Sequence, residues 1–433
     1  MIAQLAAALS SHKSTTRLEA VESLLEHAED GADLTPALGA LGAALSDVEG
    51  AVRECAGEAI AYHARIAGAL GDAALGLVGA LGDGDLAVVA GECLRLGLGG
   101  ADAPEIVRVL LPALDGDDLQ SRNAAGLLAR HWMRSGAIER VVGLLGDARV
   151  LARQGACEAA VAEIRAGQSG AGLEPALPVL LMDQGHGVAR RAAWLLIRLQ
   201  PEQLPALLGH ARAEVRLGAL AALAEGCDAG AEPPADHAPV RGCLADPVTD
   251  IRQKAAYVLA ALARTGAPME DSVLALGTAL SDAAPGVRHE AVLALLWLAR
   301  AGQDLSAVEI TPVLKNGGVR LRRNAAMAWG RHLVNRGAED ALARLLTDPD
   351  RHVRFGATWG VTERHLSRHD AGAVLLLLQH TDRLIGEAVV ATMRQHREEG
   401  RSISAGLTAL HLLQQDGLMA GARAQGLFAE LLR

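Results

Sequence analysis

Apolar residues recur along this chain with a helical period, and the pattern restarts at regular intervals. In "LADPVTDIRQKAAYVLAAL" (244–262), Ile251, Ala255, Val258, Leu259 and Leu262 share one face if each residue turns by about 100°. Polar and charged residues fill the opposite face, so an amphipathic helix is predicted with one buried stripe. The same arrangement returns in "LSDVEGAVRECAGEAI" (45–60), "LSDAAPGVRHEAVLAL" (280–295) and "LTDPDRHVRFGATWGV" (346–361). Each copy reads Leu-x-Asp, an apolar residue five positions after the Asp, then Arg, then small residues at helical spacing. Weaker copies surround Thr16–Arg17, Val88–Val89, Ser121–Arg122, Ala152–Arg153, Ala189–Arg190, Val215–Arg216, Leu321–Arg322 and Ile385–Gly386, with a degenerate one near Ala420–Gly421. The intervals average about 34 residues, the length of one helical hairpin with its connections.

Numbering each second helix from the apolar residue n before the Arg exposes two further regularities. Gly31, Gly136, Gly167, Gly266 and Gly302 fall at n+15, where a left-handed C-terminal cap favours glycine. Arg65, Arg134, Arg165, Arg264 and Arg300 fall at n+13, where positive charge complements the helix dipole. First helices such as "PEIVRVLLPAL" (104–114) begin after Pro, Asp or Ser and run about ten residues. Two places break the rhythm. The unit at 198–215 is short, and "DAGAEPPADHAP" (228–239) is a Pro/Ala/Gly linker without helical periodicity, so a hinge or change of pitch is expected around 198–239.

The Asp, the Val-Arg pair and the small core residues resemble those of HEAT repeats, in particular the short bacterial form named after phycobilisome lyases. The resemblance covers nearly the whole chain. It implies an all-α solenoid, a right-handed superhelix of about 12–13 hairpins, continuous over 1–433 and closed by a capping hairpin at 402–433. It also implies that the Asp and Arg are structural, linking successive hairpins in a ladder. Asp47, Asp83, Asp147, Asp246, Asp282 and Asp348 match the Asp; Arg53, Arg153, Arg252, Arg288 and Arg354 match the Arg.

Composition narrows the picture. Aromatic residues make up 2% of the chain and small apolar residues dominate, which suits close-packed helices better than sheets. No apolar run reaches the roughly 20 residues that span a bilayer, and the opening "MIAQLAAALSSHKSTTRLEA" reads as an amphipathic helix rather than a secretory signal. The five cysteines form no CxxC pair, which points to reduced thiols in a cytoplasmic protein and away from zinc. The net charge of −10 is uneven: residues 1–185 hold 13 Lys/Arg against 25 Asp/Glu, whereas 315–369 hold 11 against 5. Nucleic acid is therefore an unfavoured partner, conceivable only at that basic zone.

The resemblance makes the second helices the lining of the concave face, where positions n+2 and n+6 point inward. Its later part carries Arg191, Gln253, Tyr257, His289, Leu293, Arg323, Met327, Phe355 and Trp359; its early part carries Glu22, Glu54, Glu58 and Glu158. The first set reads as a partner-binding wall, since aromatic residues, Met and Arg are common interface anchors. The second reads as an acidic docking surface. Close packing of neighbouring second helices would instead bury n+6, and both outcomes are open at this stage.

Three site-specific resemblances need weighing. HEAT-repeat deoxyhypusine hydroxylase places His-Glu pairs where His289–Glu290 stands, but the equivalent dipeptides here include Glu54–Cys55, Gln253–Lys254 and Arg323–Asn324. One imidazole and one carboxylate cannot hold a diiron centre, so no metal is expected. HEAT-like alkylpurine DNA glycosylases use concave Trp and Asp residues with Arg. Trp359, Glu363 and the arginines 322, 323, 331, 354 and 364 resemble that set loosely, with Glu in place of Asp and no second aligned Trp. Bilin lyase subunits share the repeat class, but no nucleophile or tetrapyrrole motif is present. Phosphate loops, HExxH and GxSxG are absent as well. "GDGDLAV" (82–88) is read as an interhelical turn rather than a calcium loop. The expected function is a non-enzymatic protein-binding scaffold or adaptor without cofactor, possible in assembly or maturation of an enzyme complex; the alternatives are a bilin lyase-like maturation factor and, behind it, a glycosylase.

Overall fold

The computed structural model describes residues 1–415 other than Gly68, Ala101, His186 and Pro268. It contains no strand among the described residues. The chain falls into two compact units, 1–219 and 220–433, each taken by itself below. The first unit stacks helical hairpins: α1 (Ile2–Ala8) with α2 (Ser14–Glu29), α3 (Leu38–Ala44) with α4 (Gly50–Ala67), α5 (Ala73–Ala80) with α6 (Ala87–Gly97), and α7 (Ala103–Ala113) with α8 (Asp118–Arg134). There follow α9 (Ile138–Leu145) with α10 (Val150–Arg165), α11 (Leu177–Leu180) with α12 (Val188–Leu199), and α13 (Leu204–Leu208) with α14 (Ala213–Asp228), which runs across the boundary.

The second unit continues with α15 (Ala238–Gly242) and α16 (Thr249–Arg264), α17 (Glu270–Ala279) and α18 (Pro285–Arg300), and α19 (Thr311–Asn316) and α20 (Val319–Arg336). It ends with α21 (Glu339–Leu346) and α22 (Arg351–Ser367), α23 (Ala371–Leu378) and α24 (Arg383–Glu398), and α25 (Ser404–Gln415). Helix α25 packs on α23 and buries Ala409, Leu410 and Leu413. The repeat near Ala420–Gly421 lies outside the described residues. The irregular stretch is visible locally: α13 is one short turn-and-a-half behind Pro201–Gln203, and residues 229–237 form no helix. No described helix is long and apolar enough to cross a membrane.

The hairpins form for the reasons the pattern suggests. Ile251, Ala255, Val258, Leu259 and Leu262 are all fully buried. Gly31, Gly136, Gly167, Gly266 and Gly302 all adopt positive φ, as do Gly230 and Gly400. After most of them the next amide closes back five residues, for example Ala32 to the His27 carbonyl and Gln303 to the Leu298 carbonyl, which completes the left-handed cap.

The Asp–Arg ladder is present, and four of its arginines, Arg53, Arg153, Arg252 and Arg354, do two things. One nitrogen bonds its own loop's Asp carbonyl: Arg53 to Asp47 at 2.9 Å, Arg153 to Asp147 at 2.7 Å, Arg252 to Asp246 at 2.9 Å, Arg354 to Asp348 at 2.7 Å. Another reaches the next loop's carboxylate: Arg252 to Asp282 at 2.7 Å, Arg354 to Asp382 at 2.8 Å, Arg153 to Asp183, and Arg53 towards Asp83 at 3.9 Å. Arg17–Asp47 and Arg322–Asp350 are further rungs. Arg288 keeps its carbonyl bond at 2.6 Å, but the following loop, Asn316-Gly317-Gly318, has no carboxylate to offer. The same Asp side chains accept an amide two residues on, as Asp282 does from Ala284, so each also fixes its turn.

Two loops share a device that the repeat pattern does not announce. In "GADLT" (31–35) and "GQDLS" (302–306) the Leu amide donates to Nδ1 of a buried histidine in the next second helix. Leu34 bonds His63 and Leu305 bonds His332, each at 3.3 Å. Burial pushes both imidazoles below their ordinary range, against the opposing charges of Asp33 and Asp304.

Candidate partner-binding face

In the first unit, Glu22, Glu54 and Glu58 stand exposed on α2 and α4. They gather around Cys55, whose thiol is pushed up by burial and then by these three charges. Glu158 belongs elsewhere. Its carboxylate accepts from Arg122 at 2.8 Å and from Arg191 at 2.6 Å, so two wall residues neutralise each other across α8, α10 and α12. Neither Glu158 nor Arg191 is left free for a partner, because second helices at this spacing bring n+2 and n+6 of neighbours within reach.

In the second unit, Gln253 is exposed, while Tyr257, His289, Leu293, Arg323 and Phe355 are half-buried. The Tyr257 hydroxyl donates to Asp228 at 2.6 Å, and Lys254 lies over its ring at 5.2 Å. Arg323 lies 4.5 Å over the Phe355 ring and 5.5 Å over Trp359, and burial lowers its pKa. Met327 and Trp359 depart from the expected wall. Each is only 8% exposed, and both join Leu296 and Ala328 in a small cluster edged by Phe355.

The cause is the closeness of α20 and α22. A Cβ at Gly356 would sit 2.1 Å from the Arg323 carbonyl oxygen, and one at Gly360 would sit 2.0 Å from that of Met327. Backbones that approach so closely pinch the intervening n+6 side chains out of solvent. Met327 and Trp359 of the row are therefore covered, while Arg323 and Phe355 stay half-buried at its surface. The signal was in "VRFGATWGV": two glycines four apart on one helix face.

Glu363 occupies a different place from the one sequence suggested. It is 1% exposed, and its oxygens accept from Arg300 at 2.9 and 2.7 Å and from Arg401 at 3.0 Å. Arg331 stands at 3.5 Å and His396 Nε2 at 3.7 Å. Burial works against the ionised carboxylate, but His396, Arg300 and Arg331 outweigh it and hold the pKa far below the ordinary range. Arg331 itself is lowered by burial to about 10. A carboxylate sealed beneath four cationic or polar neighbours is a structural hub, not a base that can meet a nucleobase. Two further arginines of the basic zone are paired with acids: Arg322 with Asp350 and Arg354 with Asp382.

With this geometry in hand, the solved structures are informative. A crystal structure of the karyopherin Kap121p matches with a TM-score of 0.54 at 15% identity, covering 95% of this chain and 46% of that one. The fold is that of a HEAT-type helical solenoid. Kap121p bound to the extreme C-terminus of the protein phosphatase Cdc14p matches at 0.52 and 13% identity, with 95% and 46% covered. Kap95p, in a structure describing the switch loops of RanGDP, matches at 0.51 and 14%, covering 99% and 66%. The chain thus spans under half the length of the Kap121p solenoid. No family model matches the sequence, and no curated protein is similar to it.

The remaining candidates on this solenoid resolve simply. His289 and Glu290 gather no further ligands, and among the described residues no three His, Cys, Asp or Glu side chains group as a metal site would require. In "GDGDLAV", Asp83 accepts the amides of Asp85 and Leu86, which makes it a capping turn. Cys93 and Cys157 are buried, and burial pushes their thiols up to about 12, which disfavours the thiolate.

Proposed function

We propose that this protein is a non-enzymatic scaffold or adaptor that holds a protein partner on the second-helix face of residues 220–415. The observation that carries the reading is Arg323 stacked over the half-buried Phe355, flanked along the row by Leu293 and Tyr257. An arginine desolvated against an aromatic ring is pre-ordered, so little entropy is lost when a partner covers it. Karyopherins of this fold that hold a phosphatase C-terminus or act on RanGDP support protein capture as its use. In this reading Glu22, Glu54 and Glu58 steer a basic partner surface during approach.

We extend the proposal to a cytoplasmic adaptor with repeats of the short bacterial kind, acting in the assembly or maturation of an enzyme complex. Five cysteines outside any disulfide and the Asp–Arg rungs support the first two parts. The test is quantitative affinity purification from the native cell with wild type, Phe355→Ala and Arg323→Ala. A shared partner should fall about tenfold in both variants while circular dichroism stays unchanged. Equal recovery from all three would remove Phe355 and Arg323 from the interface.

A further inference from the structure

The first unit has a groove on its second helices that the wall does not include. Helix α6 stops at Gly97, whereas its neighbours α4 and α8 run to 18 and 17 residues. The sequence "RLGLGG" (95–100) ends it early, and the missing turns leave a cavity of about 390 Å³ lined by Arg95, Leu98, Arg130, His131 and Arg134. A second cavity of about 670 Å³ shares Arg95, Leu127 and Arg130 and continues along Val88, Gly84 and Gly91 towards Glu158. The two adjoin along these shared side chains and are taken together as one channel.

Its chemistry is cationic although the surrounding unit is acidic. Glu92 is held by Arg95 at 2.8 and 2.6 Å, Glu163 by Arg134 at 2.8 and 2.9 Å, and Glu158 by Arg122. Each of these acids is thus already paired with at least one guanidinium, Glu158 with that of Arg191 as well. Arg130 has no hydrogen-bonded or ion-paired acid among the described residues; its charge and that of Arg65 merely reach Glu92. The floor is open, since a Cβ built at Gly84 or at Gly91 meets nothing within 4 Å. Beside it Val88 is 80% exposed, an apolar side chain with no cover.

We infer that this channel binds an extended peptide segment carrying an acidic side chain next to an apolar one, with Arg130 taking the carboxylate and Val88 the apolar group. Guanidinium–carboxylate pairing in a partly dry groove is strong and directional. A nucleic acid fits less well. Residues 1–185 carry 12 more acids than bases (25 against 13), and that field repels a polyanion while one or two carboxylates can be taken locally.

The experiment is fluorescence anisotropy on the full chain with a labelled Gly/Ser peptide carrying a single Glu–Leu pair, compared with the same peptide carrying a single Lys–Leu pair. Wild type should bind it, more weakly as salt rises, and should prefer it to a Lys–Leu peptide and to oligothymidylate. Arg130→Glu should weaken binding about tenfold or more. Gly91→Phe should do the same by filling open space, with thermal unfolding unchanged. Phe355→Ala should leave peptide binding intact, which separates this site from the face on the second unit. Equal binding by Arg130→Glu or Gly91→Phe, loss in Phe355→Ala, or preference for oligothymidylate or the Lys–Leu peptide would overturn the inference.

Discussion

Glu363 shows how one residue can tie distant repeats together. Its partners lie 63, 32 and 38 positions away, on Arg300, Arg331 and Arg401, so no local spacing could reveal the cluster. Replacing it by glutamine leaves Arg331 buried without its counter-charge, and we expect a loss of about 3–5 kcal/mol, read as a lower urea midpoint. Trp359→Ala should cost a similar amount, about 3–5 kcal/mol, because the ring is core; it is the wrong probe of binding for that reason. The buried histidines set the response to pH. His63 and His332 have folded pKa values depressed below the ordinary 6.5, so the unfolded chain binds the extra protons first. Their contribution is complete above about pH 6.5 and is lost as pH falls through the folded pKa. Urea midpoints should therefore decline between pH 7 and pH 5. The decline should be shallower in a His63→Gln, His332→Gln double variant, and an equal slope would show that these rings do not govern it.

At the scale of the element, glycine separates what the sequence discloses from what it conceals. Glycines at n+15 announce the helix ends, and the structure places them at positive φ. Gly356 and Gly360 look alike in sequence but serve the close approach of α20 to α22, and that approach is what buries Met327 and Trp359. Helical period gives the angle at which a side chain leaves its own axis. It does not give the distance to the next axis, and burial at n+6 depends on that distance. Ladder rungs were half legible in the same way: the Asp and Arg types stood out, yet Asp183 and Asp382 sit in copies too degenerate to align. The contrast is measurable. Gly356→Ala forces two backbones apart and should destabilise by about 1–3 kcal/mol. Gly143→Ala, inside α9 with nothing within 4 Å, should stabilise by about 0.5–1 kcal/mol.

For the molecule as a whole, the account joins a repetitive frame to a few unrepeated side chains. Stacking, capping and the ladder recur and explain the frame; Arg323, Phe355 and the cavities beside Arg130 do not recur and are where we propose recognition. Capture of the proposed kind needs only side chains held in place by the packed helices beneath them. The most direct measurement is site-specific photocrosslinking in the native cell. Phe355→p-benzoylphenylalanine should yield a discrete protein adduct, whereas the same probe at Leu376, 70% exposed on the first helix α23, should yield none. An adduct at Leu376 with none at Phe355 would contradict the claim that the second-helix face holds the partner.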